Sequence, residues 1–326
     1  MSTKVPMRED DIAALGNKID AAERILVVSH VRPDGDAVGS LLGLGLVLQE
    51  MGKEVNCVLE DGVPLTFHHL YGVEQVYREA VGVYDLIIAL DASDVGRLGE
   101  VLDEIGQADV NIDHHPTNTR FGSLNIVRED AVATAEILYD IIDHLSFPLN
   151  KPIAEALLTG IITDSLGFRT SNTSPRALRA AAALQEQGAD ISMLHRKALL
   201  ERSYEAVRYW GAGLSKVKKE GGMVWTTLSL EDRARVDYPG RDDADLVNVL
   251  STVRDTDVCL ILVEQRDGTI KISWRAQPGY DVARVAAEFG GGGHKPAAGA
   301  SVPGDLERVE QEVVQTTRHM LSLEDS

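Results

Sequence analysis

Short apolar runs rich in β-branched residues recur along the first third of the chain: RILVVSH (24–30), EVNCVLE (54–60), DLIIALD (85–91) and DVNID (109–113). Each has the length of a buried strand, and polar–apolar helical stretches such as Ala37–Met51 separate them. That alternation predicts βαβ units and a parallel sheet covered by helices. AVATAEILYDIIDHL and KPIAEALLTGIITDS follow with helical periodicity. A further helix is expected over about Ser174–Gln187, where TSP supplies a cap with proline in the first turn.

From about Asp190 to Gly213 the pattern is helical and charged, as in a connector. It then restarts with GMVWTTLSL, a helix around Asp242–Val253, and the strands VCLILVEQ and TIKISWRA, with the turn signal QRDG between the two strands. A helix DVARVAAEF, the run GGGGHKPAAG and a last helix over about Asp305–Leu321 complete the chain. The expected architecture is α/β throughout. A parallel-sheet domain (1–190) is joined by a helical connector (191–215) to a smaller α/β domain (216–326), with the active cleft between the two domains.

Composition narrows the function. Of 326 residues 44 % are hydrophobic but only 5 % aromatic, so small and branched aliphatics must fill the cores. No run of 18 apolar residues is present, and MSTKVPMREDDIAALG lacks the apolar centre of a signal peptide. Cys57 and Cys259 each lie inside an apolar run and are expected as core residues. A cytoplasmic protein without a membrane partner is therefore expected. The formal net charge of −19 disfavours long duplex DNA, whose binding needs a basic face. A phosphate substrate should be small, with its charge neutralised locally, and metal ions are the obvious means.

The strand ends supply them. The first ends in SHVRPDGDAVGS, with His30, Asp34 and Asp36. The third ends in LDASD, with Asp91 and Asp94, and the fourth in DHH, with Asp113, His114 and His115. TGIITDS puts Asp164 at a helix end. In open parallel sheets, ligands bind beyond the carboxyl ends of the strands. One aspartate after a strand is more often a helix cap. So many at equivalent ends cannot all be caps, and together without cations they would repel one another. A pair of divalent metals is the economical solution. Mixed imidazole and carboxylate ligands point to a transition ion; Mn²⁺ is expected, with Mg²⁺ and Co²⁺ as alternatives. On an extended chain adjacent side chains point to opposite sides. One histidine of the pair should therefore bind metal and the other face substrate, and the spacing leaves open which.

SHVRPDGDAVGS, LDAS, DHH and TGIITDS, in this order, resemble the four motifs of the DHH phosphoesterase superfamily. SWRAQPGYDVARVAAEFGGGGHKPAAG resembles the DHHA1 substrate-binding domain that accompanies them. The resemblance covers nearly the whole chain, and length and layout are similar to those of nanoRNases. These degrade very short oligonucleotides to 5′-mononucleotides and convert 3′-phosphoadenosine 5′-phosphate (pAp) to AMP; relatives hydrolyse cyclic or linear dinucleotides. The resemblance implies that His30, Asp34 and Asp91 hold one metal and that Asp36, Asp91, His114 and Asp164 hold the other, with Asp91 bridging. It implies that His115 contacts the scissile phosphate and can protonate the leaving oxygen, that Asp113 orients a histidine, and that the protein is a homodimer.

The C-terminal run has its own chemistry. Gly290 to Gly293 let main-chain amides approach an anion, as in a nest. Arg275 and His294 can add charge-assisted hydrogen bonds to a terminal phosphate. The resemblance supports Arg275, Gly291, Gly292, Gly293 and His294 as holding the non-reacting end of a short RNA or small nucleotide. The family more often reads S-[LF]-R-S where this chain has Ser273–Ala276 (SWRA), so Ala276 lacks a hydroxyl and Trp274 is expected to point into the core. Arg97 and Arg169 are weaker phosphate-contact candidates. His68, His69, His144, His195 and His319 lack the acid-rich strand-end setting and are read as surface or packing residues.

Overall fold

The computed structural model describes residues 8–321, apart from the side chain of His294. The chain divides into two compact units, Met1–Glu201 and Arg202–Ser326.

In the first unit the elements run α1 (Glu9–Ala21), β1 (Arg24–Val28), α2 (Gly35–Glu50), β2 (Glu54–Val58), β3 (Val76–Tyr77), β4 (Leu86–Leu90), β5 (Val110–Asp113), β6 (Leu124–Val127), α3 (Thr134–His144), α4 (Lys151–Asp164), α5 (Pro175–Glu186) and α6 (Ile191–His195). The strands form one sheet in the order β3-β2-β1-β4-β5-β6, and every pair is parallel. The order reverses between β1 and β4, the switch point at which open α/β sheets bind ligands. Strand alternation builds the two faces. Ile25, Val27, Ile88 and Leu90 pack with residues of α2, α3 and α4, while Leu26, Val28, Ile87 and Ala89 join a second cluster. That second face is covered by residues such as Leu98, Val101 and Ile105, in a segment with a short 3₁₀ helix (Val95–Leu98) instead of the expected α-helix.

Close packing of α2 on α4 follows from glycines spaced by four. A Cβ at Gly39 would lie 2.4 Å from the carbonyl oxygen of Ala156, and one at Gly43 would lie 2.5 Å from the Leu157 side chain. A Cβ at Gly160 would meet Asp36 Oδ1 at 2.6 Å. The two helices thus touch nearly backbone to backbone, which brings Asp36, in the first turn of α2, towards Asp164, the last residue of α4.

The second unit contains α7 (Tyr204–Leu214), β7 (Lys218–Glu220), β8 (Met223–Leu228), α8 (Leu230–Arg235), α9 (Leu246–Leu250), β9 (Val258–Glu264), β10 (Thr269–Ala276), α10 (Val282–Glu288), β11 (Gly292–His294), β12 (Ala297–Pro303) and α11 (Leu306–Leu321). Its sheet, β11-β12-β10-β9-β8-β7, is mixed: β8 pairs β9 in parallel and the other pairs are antiparallel. The helix expected around Asp242–Val253 shrinks to α9, because Ala244 and Asp245 both take left-handed backbone angles at its start (φ 53° and 65°). Cys57 and Cys259 are buried free thiols, one in each unit. Among the described residues no helix is long and apolar enough to cross a membrane.

Candidate metal centre

His30 lies two residues beyond the end of β1 and is 3 % exposed. Its Nδ1 sits 2.9 Å from the Val31 carbonyl. An Nδ1–H donated there leaves Nε2 as the lone-pair nitrogen, the arrangement that orients a ligating imidazole. That Nε2 faces Asp34 Oδ1 at 3.8 Å and Asp91 Oδ2 at 3.5 Å.

The two aspartates of the first motif divide the work of capping. Asp34 caps its own helix, its Oδ1 accepting the amides of Asp36 (3.0 Å) and Ala37 (3.1 Å). Asp36 caps a different one. Its carboxylate accepts the Thr134 amide at 2.6 Å and the Ala135 amide at 3.0 Å, the first two of α3, and the Ser40 hydroxyl at 3.1 Å. Capping and ligation, set against each other in the sequence, coexist here, since a carboxylate offers about four lone-pair sites.

Asp91 follows β4 directly with φ 55°, a conformation uncommon for a residue other than glycine. Its side chain is 2 % exposed, and its two oxygens face different partners. Oδ2 points to His30, whereas Oδ1 lies 3.5 Å from His114 Nε2 and accepts the Thr134 hydroxyl at 3.0 Å. His114 Nε2 also lies 3.2 Å from Asp164 Oδ2 and 4.0 Å from Asp36 Oδ2. Two separate ligand groups result, His30–Asp34–Asp91 and Asp36–His114–Asp164, and a third, Asp91–His114–His115, overlaps both; in each the donor atoms lie within 4.8 Å of one another. Asp91 bridges from the first group to the second.

The histidine pair departs from the expectation of opposite sides. β5 ends at Asp113, so the pair lies past the regular strand and does not alternate. The two rings meet edge to face with centroids 4.5 Å apart, and His115 Nδ1 comes within 3.7 Å of Asp91 Oδ1. Their roles still separate. His115 Nδ1 is held at 2.7 Å by Asp113 Oδ1, while Asp113 Oδ2 accepts the Asn118 side-chain amide at 2.6 Å. This chain of hydrogen bonds fixes the orientation of the His115 ring beside the two groups.

The electrostatics follow from convergence. Burial, then the charges of Asp91 and Asp34, push Asp36 well above the usual carboxylate range. Burial and the charges of Asp36, Asp34 and Asp91 do the same to Asp164. Burial lowers His30, but hydrogen bonds to Asp34 and Asp91 outweigh it and raise the ring to about 10. His114 is lowered by burial and by the adjacent His115. His115 is raised, its burial outweighed by Asp113 and Asp91; Asp113 is lowered by His115 despite burial. Asp36 and Asp164, whose ionisation neighbouring carboxylates oppose, and imidazoles with ring nitrogens facing carboxylate oxygens form a donor set that fits a pair of divalent cations.

Other residues sort clearly. Arg97 reaches the edge of the site, its Nη2 3.3 Å from His30 Nδ1. Arg169 is exposed, and Asp94 stays outside both ligand groups, accepting the Ser93 hydroxyl. His68 and His69 bond to the nearby carbonyls of Val63 and Thr66. Thr134, Asn118 and Ser40 support the ligands yet went unread in the sequence. Their only signal is a small polar residue near a motif, which is too common to single out.

In the second unit Trp274 is fully buried, its indole N–H donating to Thr317 Oγ1 at 3.1 Å, as strand alternation required. Arg275 lies on the opposite face of β10, and its Nη1 donates to the Trp274 carbonyl at 2.9 Å. The glycine run is held by main-chain hydrogen bonds. The amides of Gly290 and Gly291 donate to the carbonyls of Ala287 and Ala286, closing α10. Gly292 to His294 form an edge strand on β12. A Cβ at Gly291 would sit 2.1 Å from the Gly299 carbonyl oxygen, so close strand packing, more than anion contact, requires glycine there. The His294 side chain lies outside the described residues.

Carboxylates and histidines at the switch point of a six-stranded parallel sheet, followed by a second mixed-sheet unit, define the class. The DHH family N-terminal domain matches residues 24–161 and the DHHA1 domain matches residues 235–322, and the chain belongs to this family. Within it, the chain is 35 % identical to the bifunctional oligoribonuclease and PAP phosphatase NrnA of Thermus thermophilus, over 91 % of this chain and 90 % of that protein. It is 32 % identical to the protein of the same name from Mycoplasma genitalium, over 91 % and 94 % of the two chains. The crystal structure of an exopolyphosphatase-related protein from Bacteroides fragilis superposes with a TM-score of 0.90 at 27 % identity, covering 98 % of each chain.

Proposed function

We propose that this protein is a metal-dependent phosphoesterase that cleaves short oligoribonucleotides to 5′-mononucleotides and converts pAp to AMP. The observation that carries the reading is Asp91, whose two oxygens face separate histidine–carboxylate groups. The names of the relatives at 35 % and 32 % identity supply the substrate class. His30, Asp34 and Asp91 would hold one divalent ion and Asp36, Asp91, His114 and Asp164 the other, with Mn²⁺ as the proposed metal. Bound there, the ions supply Lewis-acid charge that neutralises the phosphate and acidifies water for in-line attack.

The chain's own groups do the rest. His115, raised and held in orientation by the Asp113 hydrogen bond, is the proposed proton donor to the leaving oxygen. Asn118 fixes Asp113 in turn. Thr134 locks Asp91 and Asp36 by one hydrogen bond each, so that the ligands are ordered before substrate arrives. In the second unit Arg275, Gly292, Gly293 and His294 are proposed to anchor the far phosphate and base. Buried free thiols suit a reducing cytoplasm, the proposed location, and a homodimer is the proposed assembly.

A product-resolved assay tests the reading. Labelled RNAs of graded length, pAp, cyclic di-AMP and polyphosphate are offered with Mn²⁺. Release of mononucleotides from the shortest RNAs and of AMP from pAp is expected. Faster turnover of cyclic di-AMP or polyphosphate than of both would transfer the assignment.

A further inference from the structure

A cavity of about 460 Å³ opens in the second unit, its lining including Arg233, Tyr238, Arg241, Gln265, Arg266 and Asp267. The segment after α8 forms one wall and the turn joining β9 to β10 the other. The sequence presents it as YPGR (238–241) and QRDG (265–268), the latter read only as a hairpin turn. Three guanidinium groups share this space in a chain of net charge −19. Among the described residues none of the three forms an ion pair.

Arg233 is the anchor. It is 5 % exposed, its Nη2 donates to the Glu264 carbonyl at 3.2 Å, and its Nε has no hydrogen-bond partner. A buried cation without a counter-ion is costly, and a bound anion is the economical partner. The nearby acids have their own partners but are not absent. Asp267 Oδ1 accepts the Thr269 amide at 3.0 Å and the Thr269 hydroxyl at 2.7 Å. Its carboxyl is held low by those bonds and in part by Arg241, and its charge offsets only one of the three guanidinium groups; Asp242 Oδ1 accepts the Tyr238 hydroxyl at 2.6 Å. The Tyr238 ring is held in place by stacking on Tyr209 at 4.8 Å between centroids.

We propose that this cavity is a second ligand site that binds a small phosphate-bearing anion, gripped by Arg233, Arg241 and Arg266. Planar guanidinium forks suit phosphate oxygens, and the volume suits anything from inorganic phosphate to a mononucleotide. The site differs from the one proposed around Arg275. β10 separates them, with the cavity at its first end and Arg275 near its last, roughly 20 Å apart at strand rise. It also stands independently of the hydrolytic reading, since no residue of the metal centre contributes.

Isothermal titration of the full-length, Mn²⁺-loaded protein tests it, with inorganic phosphate, pyrophosphate and AMP as probes and citrate as the non-phosphate polyanion. The wild type and Arg275→Ala should share a binding event that is weakened at least tenfold in the exposed-residue double variant Arg241→Ala/Arg266→Ala. kcat and KM for pAp should stay unchanged in that double variant. The probe that binds most tightly identifies the source of the phosphate. Isotherms that are identical in the wild type and the double variant would overturn the proposal. So would loss of the event in Arg275→Ala, equal binding of citrate, or no binding at millimolar phosphate compounds.

Discussion

At the scale of residues, the site rests on side chains that do two things at once. Asp36 ligates in the proposal and caps α3 in the structure, and Asp91 bridges while holding an unusual backbone angle. His115 is set apart from its neighbour by the hydrogen bond to Asp113, more than by its direction along the chain. His115→Gln is therefore expected to lower kcat about 10²–10⁴-fold, the usual worth of a positioned acid, with metal content unchanged. Metal analysis beside the kinetics checks this; loss of metal together with activity would make His115 a ligand instead. Titration gives a second expectation for chelator-treated protein. Asp36, Asp164 and His30 bind protons more tightly folded than unfolded, so their contribution to stability is full at low pH and declines as pH rises. For His30 the decline spans 6.5 to about 10. Between pH 7 and 9 His30 alone should make stability fall with a slope of up to about 1.4 kcal/mol per pH unit. Urea unfolding at the two pH values measures it, and stability that rises with pH would contradict the charge state given to the cluster.

At the scale of elements, the centre depends on how tightly α2 lies on α4. Gly39 faces the backbone of α4, where a methyl group has no flexible neighbour to displace. Gly39→Ala is expected to destabilise by about 1–3 kcal/mol, the usual cost of overpacking, and to reduce activity by moving Asp36 relative to Asp164. Thermal unfolding and turnover should fall together; a variant of full activity and stability would show that the helices separate freely. The elements legible in the sequence were those with long, single-period apolar patterns. β1, β2, β4 and β5 fall inside their predicted runs, and Ser174 caps α5 with proline in its first turn. What escaped lacks such a pattern. β3 has two residues, β6 is a mostly half-exposed edge strand of four, and β11 is glycine-rich, so none shows enough alternation to stand out.

At the scale of the whole molecule, the residues of the candidate metal centre were legible because strand order turns separated motifs into neighbours. Strands β1, β4 and β5 lie side by side at the switch point, so His30, Asp91 and His114 converge although 84 positions separate the first from the last. The supporting groups were not legible, since Thr134 and Asn118 acquire meaning only through the acids they touch. The second unit was less legible in detail: the glycine run's part in closing α10 and forming β11 shows no periodic pattern, and the arginine-lined cavity left no motif. The central claim is a pair of cations sharing Asp91, and anomalous diffraction from crystals grown with Mn²⁺ tests it most directly. Two peaks about 3.5–4 Å apart, with one Asp91 oxygen on each or one oxygen between them, are expected. A single peak, or two that Asp91 does not join, would contradict the account.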